Sequence, residues 1–171
     1  AGTRLDAAII TNIRRDHVDL HGSLRSYRAM KRRIIRHLKP EGFAVINADD
    51  PTSAALIDTI PNPTITYGIH QPAQVTAHLV ERYPSEQTFM VRAGRETRPV
   101  RTRIIGHQHM YRCLATIAYG LVAGYSLDDL VAGVESIEEL PGELQRIECG
   151  QPFSAFVHNA SNPDRLATAL K

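Results

Sequence analysis

Short apolar runs alternate with helix-forming segments through the first part of the chain, and this alternation constrains the fold more than any other feature. Residues 6–12, 42–50 and 64–68 have the composition of buried strands, whereas residues 23–38 and 53–60 have helical patterns. Successive strands that are joined by helices run parallel, and such crossovers are right-handed. The sequence therefore predicts an α/β fold with a parallel sheet built on a β-α-β-α-β unit.

The pattern changes between residues 73 and 105. Three segments there alternate apolar with polar residues and are separated by turn residues, which predicts a small antiparallel meander with one solvent-exposed face. We expect this subsheet to cover one side of the domain and to carry no catalytic group. The remaining segments predict helices at 107–123 and 127–136, a loop that leads into a strand over 140–147, a strand at 152–159 and a helix that begins at 162.

Composition excludes some classes of protein. With 171 residues, 43% of them hydrophobic, the chain is long enough to bury the core of one large domain. No apolar run approaches the roughly 18 residues of a membrane span, and we expect a cytoplasmic protein with neither a membrane nor a nucleic-acid partner. Cys113 and Cys149 lack metal-ligand spacing and are predicted to be buried thiols. Because the chain begins with Ala1 rather than Met, we expect it to be part of a longer protein.

Lys31 stands apart from the other cations in the helical segment at 23–38. At about 100° per residue, most cations fall opposite an apolar arc, but Lys31 lies inside that arc. The arc comprises Leu24, Tyr27, Ile34, Ile35 and Leu38. A buried lysine is costly unless it is paired or chemically altered, whereas a lysine at a helix edge can extend to solvent. The sequence leaves both interpretations open.

Polar residues after the first predicted strand could ligate a metal. Asp16, His17, Asp19 and His21 provide two carboxylates and two imidazoles within six residues. Their loop follows the carboxyl end of the strand, where open α/β sheets bind ligands. Residues 1–40 also hold ten Lys or Arg against three Asp or Glu, which favours an anionic ligand nearby or a solvated helix face. The spacing indicates either a divalent-metal site or a polar turn.

Several ordered motifs resemble the Mur ligase family. The string TNIRRDHVDLHGSLRSYRAMK resembles the family's central-domain signature T-N-x-x-x-D-H-x-D-x-H-G-S, followed by Tyr27 and, four residues later, by Lys31. The segments VINADDP, TYGI, IIGHQHMYRCLATIA and LPGELQRIECGQPFSAFVHNASNPD follow in the family's order. The resemblance covers essentially the whole chain and is closest to the ligases that add the third amino acid of the UDP-N-acetylmuramoyl peptide.

The resemblance implies a domain organisation. Residues 1–149 correspond to a P-loop-type central domain with a small antiparallel subsheet, and residues 150–171 begin a Rossmann-like C-terminal domain. The expected boundary lies near Gly150 and Pro152, which interrupt the preceding pattern. No G-x-x-x-x-G-K-[ST] phosphate loop occurs in the 171 residues, and in the family that loop lies upstream of the position of Ala1.

The resemblance also implies a reaction and its cofactors. Mur ligases use ATP and Mg²⁺ to join an amino acid to a UDP-N-acetylmuramoyl peptide through an acyl phosphate. The family's lysine at the position of Lys31 is carbamylated and helps to hold Mg²⁺, and His17 matches a metal-binding histidine. We therefore expect a catalytic role for Lys31 and one metal site that Lys31 and His17 share. Burial would favour the neutral amine from which a carbamate forms, and a carbamate suits a hard cation.

Three nucleotide motifs depart from the family's pattern. Glu143 replaces an arginine that is directed at phosphates, and a carboxylate there would repel phosphate oxygens. His109 and Arg112 replace two asparagines, and His158 begins a segment that replaces D-Y-A-H. The candidates for the nucleotide side are His109, Arg146 and Asn162. Two functions are therefore possible: an ATP-dependent ligase with altered nucleotide contacts, or a catalytically degenerate Mur-ligase-like domain that acts as a binding or scaffolding module.

Overall fold

A computed structural model describes residues 2–13, 23–160, 166, 167 and 169. The strands are Leu5–Ile10 (β1), Leu38–Asn47 (β2), Thr64–Gly68 (β3), Val75–Arg82 (β4), Gln87–Ala93 (β5), Glu96–Thr102 (β6), Gln145–Ile147 (β7) and Ala155–Val157 (β8). The α-helices are Leu24–Arg32 (α1), Pro51–Ala54 (α2), His107–Val122 (α3) and Leu127–Glu135 (α4), and 3-10 turns span Arg33–His37 and Ile57–Thr59. Strands β1 to β6 form one mixed sheet in that spatial order, and β7 and β8 form a second sheet. The predicted α/β class is confirmed.

The first three strands pair parallel with one another in the large sheet, as predicted. β2 lies between β1 and β3 and pairs parallel with both. Ala44, Val45 and Ile46 of β2 are fully buried, which is expected for a central strand that is covered on both faces. Their side chains alternate, so that Val45 joins one apolar cluster and Ala44 and Ile46 join the other.

Helices cover both faces of this sheet. α3 packs on β2, β3 and β4, and α4 packs on α3 and β6. Together they enclose the larger apolar cluster, which includes Phe89, Met110 and Leu114. On the opposite face, Tyr27 of α1 and Leu56 pack against β1 and β2. No helix in the described part of the chain is long and apolar enough to cross a membrane.

The segment predicted as one helix at 23–38 contains two helical forms. Ser23 caps α1, and its Oγ accepts the Ser26 N–H at 3.1 Å. The α-helix ends at Arg32 and continues as a 3-10 turn, whose 3.0 residues per turn rotate the following side chains away from the α-helical arc. Ile34 is consequently 41% exposed rather than buried. The helix predicted at 53–60 is similarly divided between α2 and the second 3-10 turn.

β2 begins at Leu38 rather than at the predicted position 42. Residues 40–42 lie within the strand, where the pairing with β1 shifts register. Asn62 stabilises this irregularity, because its Nδ2 donates to the carbonyls of Lys39 and Gly42 at 2.8 and 3.0 Å. A proline and a glycine are therefore accommodated as a bulge, with the exposed carbonyls capped by a side chain.

The antiparallel meander predicted between 73 and 105 is confirmed. β5 pairs antiparallel with both β4 and β6, and residues 75–92 lie in strands and their connecting turn. The placement of the meander differs from the prediction, because β4 also pairs parallel with β3, with Tyr67 opposite Val75. The meander therefore extends the edge of the large sheet instead of covering one side of the domain.

The end of the described chain holds a small second sheet. β7 and β8 pair antiparallel, at the positions predicted for strands, and residues 166, 167 and 169 are helical. Cys149, in the connection between β7 and β8, is exposed, so its predicted burial is wrong, whereas Cys113 is buried as predicted. The domain boundary near residue 150 and the Rossmann-like C-terminal domain stay predictions.

Candidate functional site

Polar residues after β2 organise the carboxyl edge of the parallel strands. Asn47 ends β2, and Asp49 and Asp50 follow it. The Asn47 amide donates from Nδ2 to the Thr11 carbonyl at 2.8 Å, and its Oδ1 accepts the Asp49 N–H at 2.9 Å. One side chain therefore fixes the positions at which the chain leaves both β1 and β2.

Asp49 joins the loop after β3 to α3. Its carboxylate accepts the backbone N–H groups of Ile69, His70 and Gln71 at 2.6, 3.0 and 2.6 Å, and the Tyr111 hydroxyl at 2.8 Å. Burial alone would raise the pKa of Asp49, but the hydrogen bonds together outweigh it and hold the pKa below its usual value. Asp49 is therefore an ionised carboxylate whose hydrogen bonds connect the loop after β3 to α3.

Asp50 caps α2 and also holds the segment after β1. Its Oδ2 accepts the Ser53 N–H and hydroxyl at 2.9 and 2.7 Å, and the Ile13 N–H at 3.2 Å. Asp50 is 7% exposed and Ile13 is 1% exposed. Because residues 14–22 follow Ile13, this bond anchors one end of the segment that carries the predicted metal ligands.

The predicted metal site is described only at Lys31. The candidate ligands of the loop lie outside the described residues: Asp16, His17, Asp19 and His21. Lys31 is exposed, and its Nζ lies 5.5 Å from the centroid of the Tyr27 ring, whose face attracts the ammonium cation. Of the two interpretations that the sequence leaves open, the structure favours the lysine at a helix edge that extends to solvent. Within the described ranges, no three His, Cys, Asp or Glu side chains are grouped as metal ligands. A site shared by Lys31 and His17 stays a prediction.

His109, predicted on the nucleotide side, is buried on the inner face of α3. It is 3% exposed, and its Nε2 lies 3.4 Å from the Sγ of Cys113. Burial, with a smaller contribution from the charge of Arg112, lowers the pKa of His109 to about 4. Burial likewise raises the pKa of Cys113 to about 12. The imidazole is therefore neutral and would have to become exposed to contact a nucleotide, so that this role stays a prediction.

Two of the substituted residues pair with each other. The Nη2 of Arg112 lies 2.8 Å from the Oε2 of Glu143, and the Nδ1 of His158 lies 3.8 Å from the same oxygen. The guanidinium is a permanent cation, so the charge of Glu143 has a counter-ion beside it. This pairing reduces the repulsion between Glu143 and phosphate that the sequence predicts.

Arg146 lines an open cleft near the second sheet. The cleft has a volume of about 440 Å³ and lies between the β4–β5 turn and residues 138–148. Arg146 pairs with Glu148 at 3.2 Å, and Glu143 lines the same cleft. The structure therefore brings Arg146 and Glu143 together but places His109 elsewhere, while Asn162 lies outside the described residues.

Sequence reasoning missed the roles of Asn47, Asp49 and Asp50. The segment VINADDP matches a family motif, but the motif alone does not reveal what its polar side chains bind. The available signal was an amide and two carboxylates directly after a buried strand, at the edge where parallel strands end. Tyr111, which donates to Asp49, gave no comparable signal, since it lies within an apolar helical pattern.

The comparisons with known proteins agree with this fold and these motifs. Residues 1–120 match the Mur ligase middle domain. The chain therefore belongs to the Mur ligase family, as the motifs predict.

Within this family the chain is similar to ligases of peptidoglycan precursors. It is 32% identical over 177 residues to the UDP-N-acetylmuramoyl-L-alanyl-D-glutamate--2,6-diaminopimelate ligase of Geobacillus thermodenitrificans, an alignment covering 99% of this chain and 36% of the relative. It is 31% identical to the UDP-N-acetylmuramyl-tripeptide synthetase of Roseiflexus sp., with 95% of this chain and 34% of the relative covered. The chain thus spans about a third of the length of these relatives.

A solved structure shows the same fold. It is the UDP-N-acetylmuramoylalanyl-D-glutamyl-2,6-diaminopimelate--D-alanyl-D-alanyl ligase from Acinetobacter baumannii, with a TM-score of 0.82 and 26% sequence identity. The superposition covers 96% of this chain and 36% of the ligase. Both the large sheet and the residues that follow it therefore have counterparts in a Mur ligase.

Proposed function

We propose that this chain is the central part of an ATP-dependent ligase that forms an amide bond between an amino acid and a UDP-N-acetylmuramoyl peptide in the cytoplasm. The observation that carries the proposal is the 32% identity across 99% of the chain to a ligase of this class. ATP phosphorylates the carboxylate of the peptide, the amine of the incoming amino acid attacks the acyl phosphate, and ADP and phosphate are released. The names of the relatives favour 2,6-diaminopimelate as the amino acid.

The hydrogen-bonded carboxyl edge supports this function by its rigidity. Asn47, Asp49 and Asp50 hold the ends of β1, β2 and the loop after β3 in fixed positions. Correct placement of reacting groups accounts for a large part of a ligase's rate, because phosphoryl transfer needs positioning and electrostatic stabilisation more than covalent help from the protein. The described residues at which the loops leave this edge, Thr11, Ile13 and Ile69, are therefore held in place before substrate binds.

We further propose that Lys31, as a carbamate, and His17 hold Mg²⁺. Oxygen and imidazole donors fit a divalent cation, and the exposed amine of Lys31 is accessible to carbon dioxide. When bound, the ion would neutralise charge on the transferring phosphoryl group. This assignment rests on the family resemblance alone, since the burial that would favour a neutral Lys31 amine is not observed.

The experiment uses the full-length protein that contains this chain. ADP release is measured with ATP, UDP-N-acetylmuramoyl-L-alanyl-D-glutamate and either 2,6-diaminopimelate or lysine. We expect ADP release only when all three substrates are present, with a preference for one amino acid. Lys31→Arg has the positive charge of an unmodified lysine but cannot form the carbamate, and it should lower kcat by about a hundredfold or more. Arg32→Ala, one residue away, is the matched control and should leave kcat unchanged. No ADP release with any amino acid would overturn the ligase proposal.

The alternative is a Mur-ligase-like domain that binds without catalysing. The ion pair between Arg112 and Glu143 favours it, because residues at two nucleotide motifs are engaged with each other. Calorimetric titration of the full-length protein with ATP and magnesium separates the two functions. A micromolar Kd together with ADP release supports the ligase, whereas no binding at millimolar ATP supports the module.

A further inference from the structure

A strained turn lies between α4 and β7. Leu144 has a φ of 51°, and among the described residues it alone adopts a positive φ without being glycine. The left-handed region is unfavourable for a leucine, because the Cβ approaches the following backbone. Such a conformation persists only where the surrounding contacts hold it.

Hydrogen bonds to the end of β8 hold this turn. The Leu144 N–H donates to the Nδ1 of His158 at 3.3 Å, and the Asn159 N–H donates to the Gly142 carbonyl at 2.7 Å. Since Nδ1 accepts, the proton of the neutral imidazole is on Nε2. His158 therefore contributes a lone pair to the turn.

An ion pair holds the same turn to α3. Glu143 lies between Gly142 and Leu144, and its Oε2 lies 2.8 Å from the Nη2 of Arg112. The two side chains are 39% and 23% exposed, so that water screens the pair only in part. Arg112, rather than His158 at 3.8 Å, is the counter-ion of Glu143, because the guanidinium is the nearer group and a permanent cation.

The second sheet has little apolar attachment of its own. Ile147 of β7 is 36% exposed, and Phe156 and Val157 of β8 are 38% and 49% exposed. Side chains of this kind stabilise an interface by being removed from water. Because these side chains are only partly removed from water, the polar contacts of the turn add to the attachment that apolar packing provides.

We propose that Arg112, Glu143 and His158 form a clasp that holds the strained 142–144 turn and fixes the β7–β8 sheet to α3. Arg112 and Glu143 connect the turn to the helix, and His158 connects it to the end of β8. Loss of either connection releases Leu144 from its left-handed conformation. The β7–β8 sheet then moves more freely relative to α3, while the large sheet is unaffected.

Hydrogen exchange of the Asn159 amide in the full chain measures the clasp. This amide bonds to the Gly142 carbonyl, so its exchange reports on the turn once each rate is divided by the intrinsic rate for the residue at position 158, which directly precedes it. His158→Leu should speed its exchange about threefold to tenfold, the range set by one net hydrogen bond. His158→Asn is the matched control, because its Oδ1 can accept in place of Nδ1, and exchange should stay near the wild-type rate.

The exchange rate of the Asn159 amide also tests the contribution of the ion pair between Arg112 and Glu143. Arg112→Glu and Glu143→Arg should each speed exchange about threefold, and the double variant with both changes should restore the wild-type rate. Arg103→Ala is the control, because it removes a pair with Glu138 at 3.5 Å in which both side chains are largely exposed. It should leave the Asn159 amide unchanged.

The buried Leu114 amide of α3 distinguishes a local effect from a global one. We expect its exchange to remain at the wild-type rate in every variant that speeds Asn159. Equal acceleration of both amides would show that the substitutions destabilise the whole chain, and the clasp would be wrong. Unchanged Asn159 exchange in His158→Leu, or no restoration in the double charge exchange, would also overturn it.

Discussion

At the scale of single residues, Asp49 has the most partners among the polar side chains of the carboxyl edge. Asp49→Asn should lower the free energy of unfolding by about 2 kcal/mol at pH 7, because the new amide group donates where the backbone N–H groups also donate. Tyr111→Phe removes only the hydroxyl donor and should cost about 1 kcal/mol. Urea unfolding of the three proteins measures these differences.

The loss of stability caused by Asp49→Asn should depend on pH. Because the folded state lowers the pKa of Asp49, its contribution is complete above the ordinary carboxyl pKa and is lost as the pH falls through the folded value. The difference between wild type and Asp49→Asn should therefore be constant from pH 7 to about 5 and shrink below about pH 4. A difference that grows with acidity would contradict this assignment.

The buried imidazole of His109 should make the free energy of unfolding depend on pH in a second, higher range. Its pKa is lowered from 6.5 to about 4, so the unfolded chain binds a proton that the folded chain excludes. Stability should therefore fall as the pH decreases from about 6.5 to about 4, by on the order of 3 kcal/mol. His109→Asn removes the titrating group, and its stability profile should be flatter across this range. Parallel profiles in calorimetric unfolding would show that His109 is not buried in its neutral form.

At the scale of elements, Gly42 and Gly133 make a matched pair. A Cβ on Gly42 would lie 2.9 Å from the Asp6 carbonyl oxygen and 3.1 Å from that of Leu5. These are backbone atoms that cannot rotate away, so Gly42→Ala should destabilise the chain by about 2 kcal/mol. Gly133, in α4, has nothing within 4 Å of the corresponding position, and Gly133→Ala should stabilise by about 0.5–1 kcal/mol. The melting temperature of each variant tests this account. It would be contradicted if Gly42→Ala and Gly133→Ala both raised or both lowered the melting temperature.

The types of the elements follow from periodicity, whereas several of their ends do not. β3 was predicted with its observed bounds, because turn residues flank a short apolar run. The end of α1 at Arg32 could not be predicted in this way, because the sequence gives no sign that the helix tightens to 3-10 geometry after that residue. The start of β2 was missed because the contacts of Asn62, more than twenty positions away from Lys39, allow a proline in the strand.

The candidate site was predicted in location more than in detail. The carboxyl edge follows from strand order, and the family motifs direct attention to it. The exposure of Lys31 depends on how α1 packs on the sheet. Helical periodicity alone does not determine that packing. The bond from Tyr111 to Asp49 spans 62 positions, a separation that local patterns cannot reveal.

At the scale of the whole molecule, the 171-residue chain by itself should not bind ATP measurably. It has no G-x-x-x-x-G-K-[ST] segment, whose backbone N–H groups and lysine contact the phosphates. His109 is buried and Arg112 is engaged with Glu143, so fewer groups are free to compensate. Each missing charge-assisted contact costs roughly 1.5–3 kcal/mol, which moves a micromolar site beyond the millimolar range. A micromolar Kd in a calorimetric titration with magnesium and ATP would refute this expectation.

The sheet changes at β4, which pairs parallel with β3 and antiparallel with β5, and this change separates long-range strand pairs from local ones. In the meander, Phe89 pairs with Val100 across a short turn, whereas Ala8 must find Ala44 through a crossover. Less chain entropy is lost in closing the short loops, so local pairs form earlier in folding. We expect the meander to form first, although it is synthesised after the parallel strands. The residues of the carboxyl edge are therefore synthesised before the meander but reach their folded positions after it has formed.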